Sequence, residues 1–337
     1  MFGALPIAYF SQKYGIRNGL VILFTTRSIA FFLLSLTNSF ICAIGIASLV
    51  GLLSRGTAPL IESALVMDAD NNITVKMLAT LRMIRNIGFA AGGIPAGYTV
   101  WVNTTAGYRV IIAISSLIFL LAAIICWQFQ NKNIHFQKPH SLLKIVLKNY
   151  PFIVLTSVYS LAILSAILLG IGIPLWIIHK SHVPSWTVGL IQTLNTFLVV
   201  LLQRQVSKNT EQIKVSISRF QLGVTFAAIG SGILFLAGEN SSSIINMFFV
   251  IIIVIAFTFA ELFIIAGAEG MSLSYIPEGQ RTVYFAILNL GFAAATVIGP
   301  PLATITSTGT AWWWLIWALF FSCLVPVINF LPKPSTL

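Results

Sequence analysis

Charged side chains are scarce in this chain of 337 residues, in which Asp, Glu, Lys and Arg together make up 8%. An ordinary soluble domain carries about 25% charged residues. Hydrophobic residues make up 58% of the chain. This composition excludes a water-soluble fold and indicates an all-α membrane protein.

Cysteine is also scarce, and Cys42, Cys126 and Cys323 lie far apart in apolar runs. The sequence has no CxxC pair and no histidine cluster with the spacing of a zinc site. It also lacks a GxxxxGK phosphate loop and a nucleophile motif. We therefore expect no disulfide, no metal and no cofactor, and we do not expect an enzyme.

Long apolar runs dominate the rest of the chain. We predict ten membrane-spanning helices, because each run is long enough to cross about 30 Å of hydrocarbon at 1.5 Å per residue. The predicted spans are 18–37, 41–64, 83–103, 109–128, 152–178, 187–203, 216–237, 244–268, 282–305 and 310–331. The fold class expected is a polytopic helical bundle.

The basic residues are unevenly distributed between the two sides of these spans. Arg27 and Arg55 lie within spans, and Arg109 and Lys180 lie on one side. All other Lys and Arg residues fall on the opposite side, which the positive-inside rule makes cytoplasmic. The net charge of +11 therefore reflects membrane topology rather than binding to nucleic acid. We expect a plasma-membrane protein with a cytoplasmic C-terminus.

An internal repeat relates two parts of the chain. The segment NIGFAAGGIPAG at 86–97 is similar to NLGFAAATVIGPPLA at 289–303, at an offset of 203 residues. Both segments begin a span at the basic side, so the repeated units have the same orientation in the membrane. Chance similarity of small residues is the alternative, since membrane helices favour Gly and Ala where they touch.

The repeat also predicts a domain organisation. Residues 1–128 form an N-terminal half of a partial span and four spans, 129–151 a basic cytoplasmic linker, and 152–337 a C-terminal half of six spans. Symmetry predicts six spans before the linker. We therefore expect that a first span and most of a second are missing, because the chain is a fragment or its true start lies upstream.

Two parallel repeats of six spans each, joined by a basic central linker, resemble the major facilitator superfamily. The segment AYFSQKYGIR at 8–17 resembles that family's loop motif GxLADRxGRR, with Lys13, Gly15 and Arg17 at the basic and turn positions. The resemblance implies a cytoplasmic gate at this loop. Gln12 replaces the family's Asp, so it can form only a weaker, uncharged hydrogen bond.

Four further segments resemble the same family, and the last three of them resemble its drug-exporting branch. SLVGLLSRGTAP places Arg55 where the family has an arginine in span four. RMIRNIGFAAGGIPAG resembles span five, whose glycine-proline motif is associated with proton antiport, and IPLWI and NTFLVVLLQ resemble spans seven and eight. The resemblance implies a drug/proton antiporter-like protein.

Ionisable residues within spans are costly and are therefore candidates for the substrate or ion pathway. Arg55 could bind an anionic group or alter the proton affinity of a nearby carboxylate, and a buried pair that only locks helices is the alternative. Glu62 follows Arg55 by two turns. Glu261 is the deepest acid, and it could exchange protons or form a structural ion pair. Glu269 falls in a cytoplasmic loop, where a solvated role is expected.

Several uncharged residues complete the candidate set. Gln192 and Asn195 share one face of the span at 187–203, and Asn289 begins the second repeat segment. Small residues and prolines that permit close packing or gating are Gly88, Gly92, Gly93, Pro95, Gly299 and Pro300.

The expected function is secondary active transport, in which the two halves rock about a site near the midplane. The expected partners are an exported small amphipathic or drug-like molecule, protons and the lipid bilayer, and the protein is expected to be a monomer. A nutrient permease or symporter of the same fold, or a transport-inactive membrane protein, is the alternative.

Overall fold

The structure is a computed structural model that describes residues 14–66, 70–102, 104–129, 148–180, 183–184, 187–238, 242–276 and 281–330. Gln12 and Lys13 lie outside these ranges, as does most of the predicted linker. Every regular element within the ranges is a helix. The prediction of an all-α membrane protein is confirmed.

Four helices precede the predicted linker in the described part of the chain. They are α1 at Ile16–Leu36, α2 at Phe40–Val66, α3 at Asn71–Val102 and α4 at Thr105–Trp127. The third begins well before the predicted span at 83, because residues 71–82 continue the helix as an amphipathic segment. Its buried residues Thr74, Val75, Leu78 and Ala79 recur at helical spacing.

The first span after the linker, Tyr150–His179, is not a uniform α-helix. It consists of α5 at Tyr150–Ala162, the short α6 at Leu164–Ile167, a π-helical segment at Leu168–Gly172 and α7 at Ile173–His179. Single π-helical turns often occur at functional sites. The carbonyl of Gly172 accepts a 2.8 Å hydrogen bond from the hydroxyl of Ser307, which holds this irregular segment in place.

Five helices follow. They are α8 at Thr187–Val206, α9 at Ile213–Gly238, α10 at Ser243–Leu273, α11 at Arg281–Thr308 and α12 at Trp312–Val327, the last continued by a 3-10 turn at Ile328–Phe330. Among the described residues, eight helical stretches are long and apolar enough to cross a membrane. The predicted spans at 83–103 and 187–203 lie in α3 and α8, which carry more polar side chains and are not among the eight.

The chain divides into two compact units. The first unit comprises the described residues of Met1–Asp68, Gly88–Lys148 and Pro277–Leu290, and the second those of Ala69–Ile87, Asn149–Ile276 and Gly291–Leu337. We call 69–87 and 277–290 the crossover segments, because each belongs to the unit formed mainly by the other half of the sequence. They end at Ile87 and Leu290, which are separated by the offset of the sequence repeat.

The first unit is built around α1. This helix packs against α4 and α2 through a core of Ile16, Leu20, Leu23, Phe24, Leu60 and Ala123. Deeper in the pair, the Ser28 hydroxyl donates to the carbonyl of Ser116 at 2.9 Å, and the Ser116 hydroxyl donates to the carbonyl of Ser28 at 2.8 Å. These reciprocal bonds join α1 and α4 within the apolar layer.

The second unit contains a very close helix pair, α9 and α10. A Cβ atom added to Gly223 would lie 2.6 Å from the backbone nitrogen of Ile264, and one added to Gly267 would lie 2.6 Å from that of Phe220. Small residues at such crossings let membrane helices approach each other closely. This pair supports α10, which carries the acidic residues described below.

Candidate functional site

A buried polar cluster lies between α8 and α10 of the second unit. The side-chain nitrogen of Asn195 donates to a carboxylate oxygen of Glu261 at 3.2 Å and to the hydroxyl of Thr258, also at 3.2 Å. Asn195 is 6% exposed and Thr258 is fully buried. One amide therefore uses both of its N–H groups to hold the carboxylate of Glu261 near the middle of α10.

The partner of Glu261 is neutral, which matters for its chemistry. Among the described side chains, Glu261 forms no ion pair. A carboxyl group paired only with an amide can gain a proton without leaving a buried cation uncompensated. The cluster is therefore suited to reversible protonation.

An ion pair lies eight residues further along α10. Arg82, in the first crossover segment, pairs with the carboxylate of Glu269. The two side chains are only 15% and 18% exposed, so the pair is largely removed from solvent. Glu269 belongs to α10 rather than to a solvated loop, and the expectation for this residue is wrong because α10 extends to Leu273.

A second polar contact involves the other crossover segment. The side-chain nitrogen of Asn289 donates to a carboxylate oxygen of Glu62 at 3.1 Å and to the carbonyl of Phe285 at 2.9 Å. Glu62 is 7% exposed. The structure therefore brings together Glu62 and Asn289, two of the candidates selected from the sequence.

The two contacts join repeat-related helices, although their residues are displaced by about one helical turn from strict repeat equivalence. Glu62 and Glu269 each lie near the C-terminal end of a long helix, α2 and α10, and these helices correspond at the repeat offset. In each unit, the acid at this end binds a residue of the crossover segment. The chemistry differs, because the first unit uses an amide where the second uses a guanidinium.

Two arginines lie within spans of the first unit. Arg55 lies in α2, but its side chain is outside the described part of the structure. Arg27, in α1, donates to the hydroxyl of Thr57 at 3.2 Å, and its guanidinium carbon lies 4.1 Å from the centre of the Phe119 ring. No carboxylate among the described residues lies within ion-pair distance of Arg27.

The gate motif is described only in part. Gly15 immediately precedes α1 and has a positive φ of 90°, a backbone conformation that glycine adopts easily. Arg17 donates to the carbonyl of Phe129 at 3.4 Å, and its guanidinium lies 5.7 Å from the centre of the Trp127 ring. The turn and the basic residue are therefore placed at the end of α4.

The remaining candidates have different surroundings. Gln192 is exposed on α8, whereas Asn195 on the same helix is buried. A Cβ at Gly88 or Gly92 would meet no described atom within 4 Å, whereas one at Gly299 would lie 2.7 Å from the side chain of Ile167. Pro95 and Pro300 lie within α3 and α11, and the surroundings of Gly93 are outside the described structure. Gly299 is therefore a packing residue.

Sequence reasoning did not single out Arg82, Glu269 or Thr258. Arg82 and Glu269 are 187 residues apart, and no local pattern connects them. A signal existed for Thr258, since it lies three residues before Glu261 and therefore on the same face of a helix.

No known family model matches the chain. No curated protein matches it either. Among solved structures, the human organic anion transporter MFSD10 (TETRAN) is similar, with a TM-score of 0.66 at 12% identity over 97% of this chain and 80% of that chain. A POT family transporter in complex with 5-aminolevulinic acid is also similar, with a TM-score of 0.70 at 15% identity over 99% of this chain and 86% of that one. The protein therefore shares the helical fold of these two solved structures.

Proposed function

We propose that the protein is a secondary active transporter that exports a small amphipathic compound in exchange for protons. The observation that carries the proposal is the Asn195–Glu261 contact, in which a neutral amide holds a membrane-embedded carboxyl group. Acidic residues inside spans commonly mark proton pathways. The fold of two solved transporters supports transport as the general activity.

The coupling step is the protonation of Glu261. While it is ionised, the carboxylate accepts the hydrogen bond from Asn195. Once it is protonated, its charge is lost, and the hydrogen bond from Asn195 becomes weaker because its acceptor is neutral. Protonation therefore weakens the contact between α8 and α10 at this point.

The two crossover contacts form the gate in this proposal. Glu62–Asn289 and Arg82–Glu269 each connect a segment from one half of the sequence to a long helix from the other half. Alternating access requires that such contacts break when the halves rock. An ion pair and a hydrogen bond are both reversible contacts, so they suit this role.

A second candidate is the uptake of a small anionic compound, and Arg27 favours it. This guanidinium lies within a span, beside Thr57 and Phe119, with no carboxylate partner in the described structure. A cation in this position can bind a substrate carboxylate. Both solved transporters are named with carboxylic or anionic compounds, which agrees with this candidate.

Flux measurements distinguish these functions. Full-length protein in proteoliposomes is given an inward or outward pH gradient, and the flux of amphipathic cations, neutral amphiphiles and small carboxylates is recorded. Proton-driven export predicts that amphipathic compounds move against the direction of proton flow. Carboxylate movement in the same direction as protons would favour uptake, and no gradient-dependent flux of any compound would contradict both proposals.

A further inference from the structure

Two grooves lie at repeat-related positions, one in each unit. The first has a volume of about 380 Å³ and is lined by Val21, Thr25, Leu120, Ala123, Ile124 and Trp127, which belong to α1 and α4. The second has a volume of about 300 Å³ and is lined by Thr225, Ala228, Ile229, Ser322 and Val325, from α9 and α12. Shifted by the repeat offset, α1 and α4 fall on α9 and α12.

The walls of both grooves are mainly apolar and partly open, with a few hydroxyl groups and, in the first groove, the amide of Gln128 among them. Ile124 in the first groove and Ile229 in the second are each 50% exposed. All four helices contribute to membrane-crossing stretches, so hydrocarbon rather than water surrounds such side chains. An acyl chain is therefore the occupant that fits the walls of both grooves.

The ends of the two grooves differ in charge. Trp127 is 65% exposed at the end of α4, and the guanidinium of Arg17 lies 5.7 Å from the centre of its ring. Arg17 donates a hydrogen bond from Nε to the side-chain oxygen of Asn18 and another from Nη1 to the carbonyl of Phe129. In the described structure, Nη2 forms no hydrogen bond and the guanidinium has no carboxylate partner. A tryptophan beside an unneutralised arginine at a span end suits a phospholipid headgroup.

The second groove has a neutral end. One turn before Thr225, the amide of Gln221 donates to the side-chain oxygen of Asn329 at 2.8 Å. The two amides form this hydrogen bond with each other, and neither carries a charge. The second groove therefore provides a comparison within the same chain, with similar walls and no cation among its described lining residues.

We propose that the first groove is a binding site for an anionic phospholipid. One acyl chain lies between α1 and α4, and the phosphate binds Arg17 beside Trp127. The second groove accepts acyl chains without selecting a charged headgroup. The proposal requires only that the protein is embedded in a membrane, so it does not depend on transport or on the identity of a transported compound.

Tryptophan fluorescence in nanodiscs tests the site. Phosphatidylglycerol and phosphatidylcholine with brominated acyl chains are titrated in, and quenching of Trp127 is taken as the difference between the full chain and Trp127→Phe. One basic residue near an anionic headgroup predicts a preference of about fivefold for phosphatidylglycerol. A reporter in the second groove, Ile229→Trp, should be quenched equally by both lipids.

Three variants separate the site from general surface charge. Arg17→Gln should abolish the fivefold preference at Trp127 while quenching by phosphatidylcholine continues, and Arg17→Lys should keep most of the preference. Arg204→Gln removes the same charge from an exposed position on α8 and should leave the preference unchanged. Equal quenching by both lipids in the full chain, or an equal loss of preference in Arg17→Gln and Arg204→Gln, would overturn the proposal.

Discussion

Each crossover segment contacts an acidic residue of a long helix, but the two contacts differ in their chemistry. In the first unit, Asn289 forms a hydrogen bond with Glu62, whereas in the second unit Arg82 forms an ion pair with Glu269. Both acids lie near the ends of repeat-related helices. The two repeats therefore share a contact between a crossover segment and the end of a long helix, while both the exact position of the contact and its chemistry differ.

Removing one partner of the Arg82–Glu269 ion pair should reduce stability more than removing one partner of the Asn289–Glu62 hydrogen bond. Glu269→Gln leaves the guanidinium of Arg82 largely buried without its counter-charge, and we expect a loss of about 3 kcal/mol in the free energy of unfolding. Unfolding in a detergent mixture of rising SDS content measures this change. The charge-reversed double variant Arg82→Glu with Glu269→Arg should recover much of the loss, and no recovery would show that the pair itself is unimportant.

A substitution that disturbs the close packing of α9 against α10 should cause the second largest loss of stability. Gly267→Ala places a Cβ 2.6 Å from the backbone nitrogen of Phe220, which should cost about 2 kcal/mol through overpacking. Gly88→Ala is the matched control, because its Cβ meets no described atom within 4 Å. The same SDS titration should show unchanged or slightly higher stability for Gly88→Ala, and equal losses would contradict the packing described here.

The hydrogen bond between Asn289 and Glu62 should contribute less to stability than the ion pair between Arg82 and Glu269. Asn289→Ala removes one hydrogen bond to Glu62, and we expect a loss of about 1 kcal/mol in the free energy of unfolding. Asn86, its repeat-related counterpart, donates instead to the carbonyl of Arg82 in its own helix at 3.0 Å. Asn86→Ala should therefore have little effect. A larger loss for Asn86→Ala than for Asn289→Ala would reverse the assignment of the two contacts.

Sequence periodicity predicted the helices well, because apolar length is a local property. The described residues of the ten predicted spans lie in helices apart from a few, mostly at the ends of the spans. The ends were less accurate where an amphipathic segment continued the helix, as in residues 71–82 of α3 and at Glu269 in α10. A hydropathy pattern does not detect such extensions, since their polar residues resemble those of a loop.

The candidate site was only partly predictable. Depth in a span identified Glu261, and the repeat drew attention to Asn289, because both signals can be read from spacing alone. The ion pair between Arg82 and Glu269 depends on packing between segments 187 residues apart. Asn209 shows the same limit, since its left-handed backbone with φ of 62° lies in a turn without a glycine.

We propose that Glu261 couples proton movement to transport. The most direct measurement is substrate accumulation by full-length protein in proteoliposomes under an imposed pH gradient, compared with substrate exchange at equal pH. We predict that Glu261→Gln abolishes gradient-driven accumulation but retains exchange, because the amide preserves shape and lacks a titratable proton. The control Asp70→Asn removes an exposed carboxyl before α3 and should retain both activities. Gradient-driven accumulation by Glu261→Gln at the rate of the unmodified protein would contradict the account.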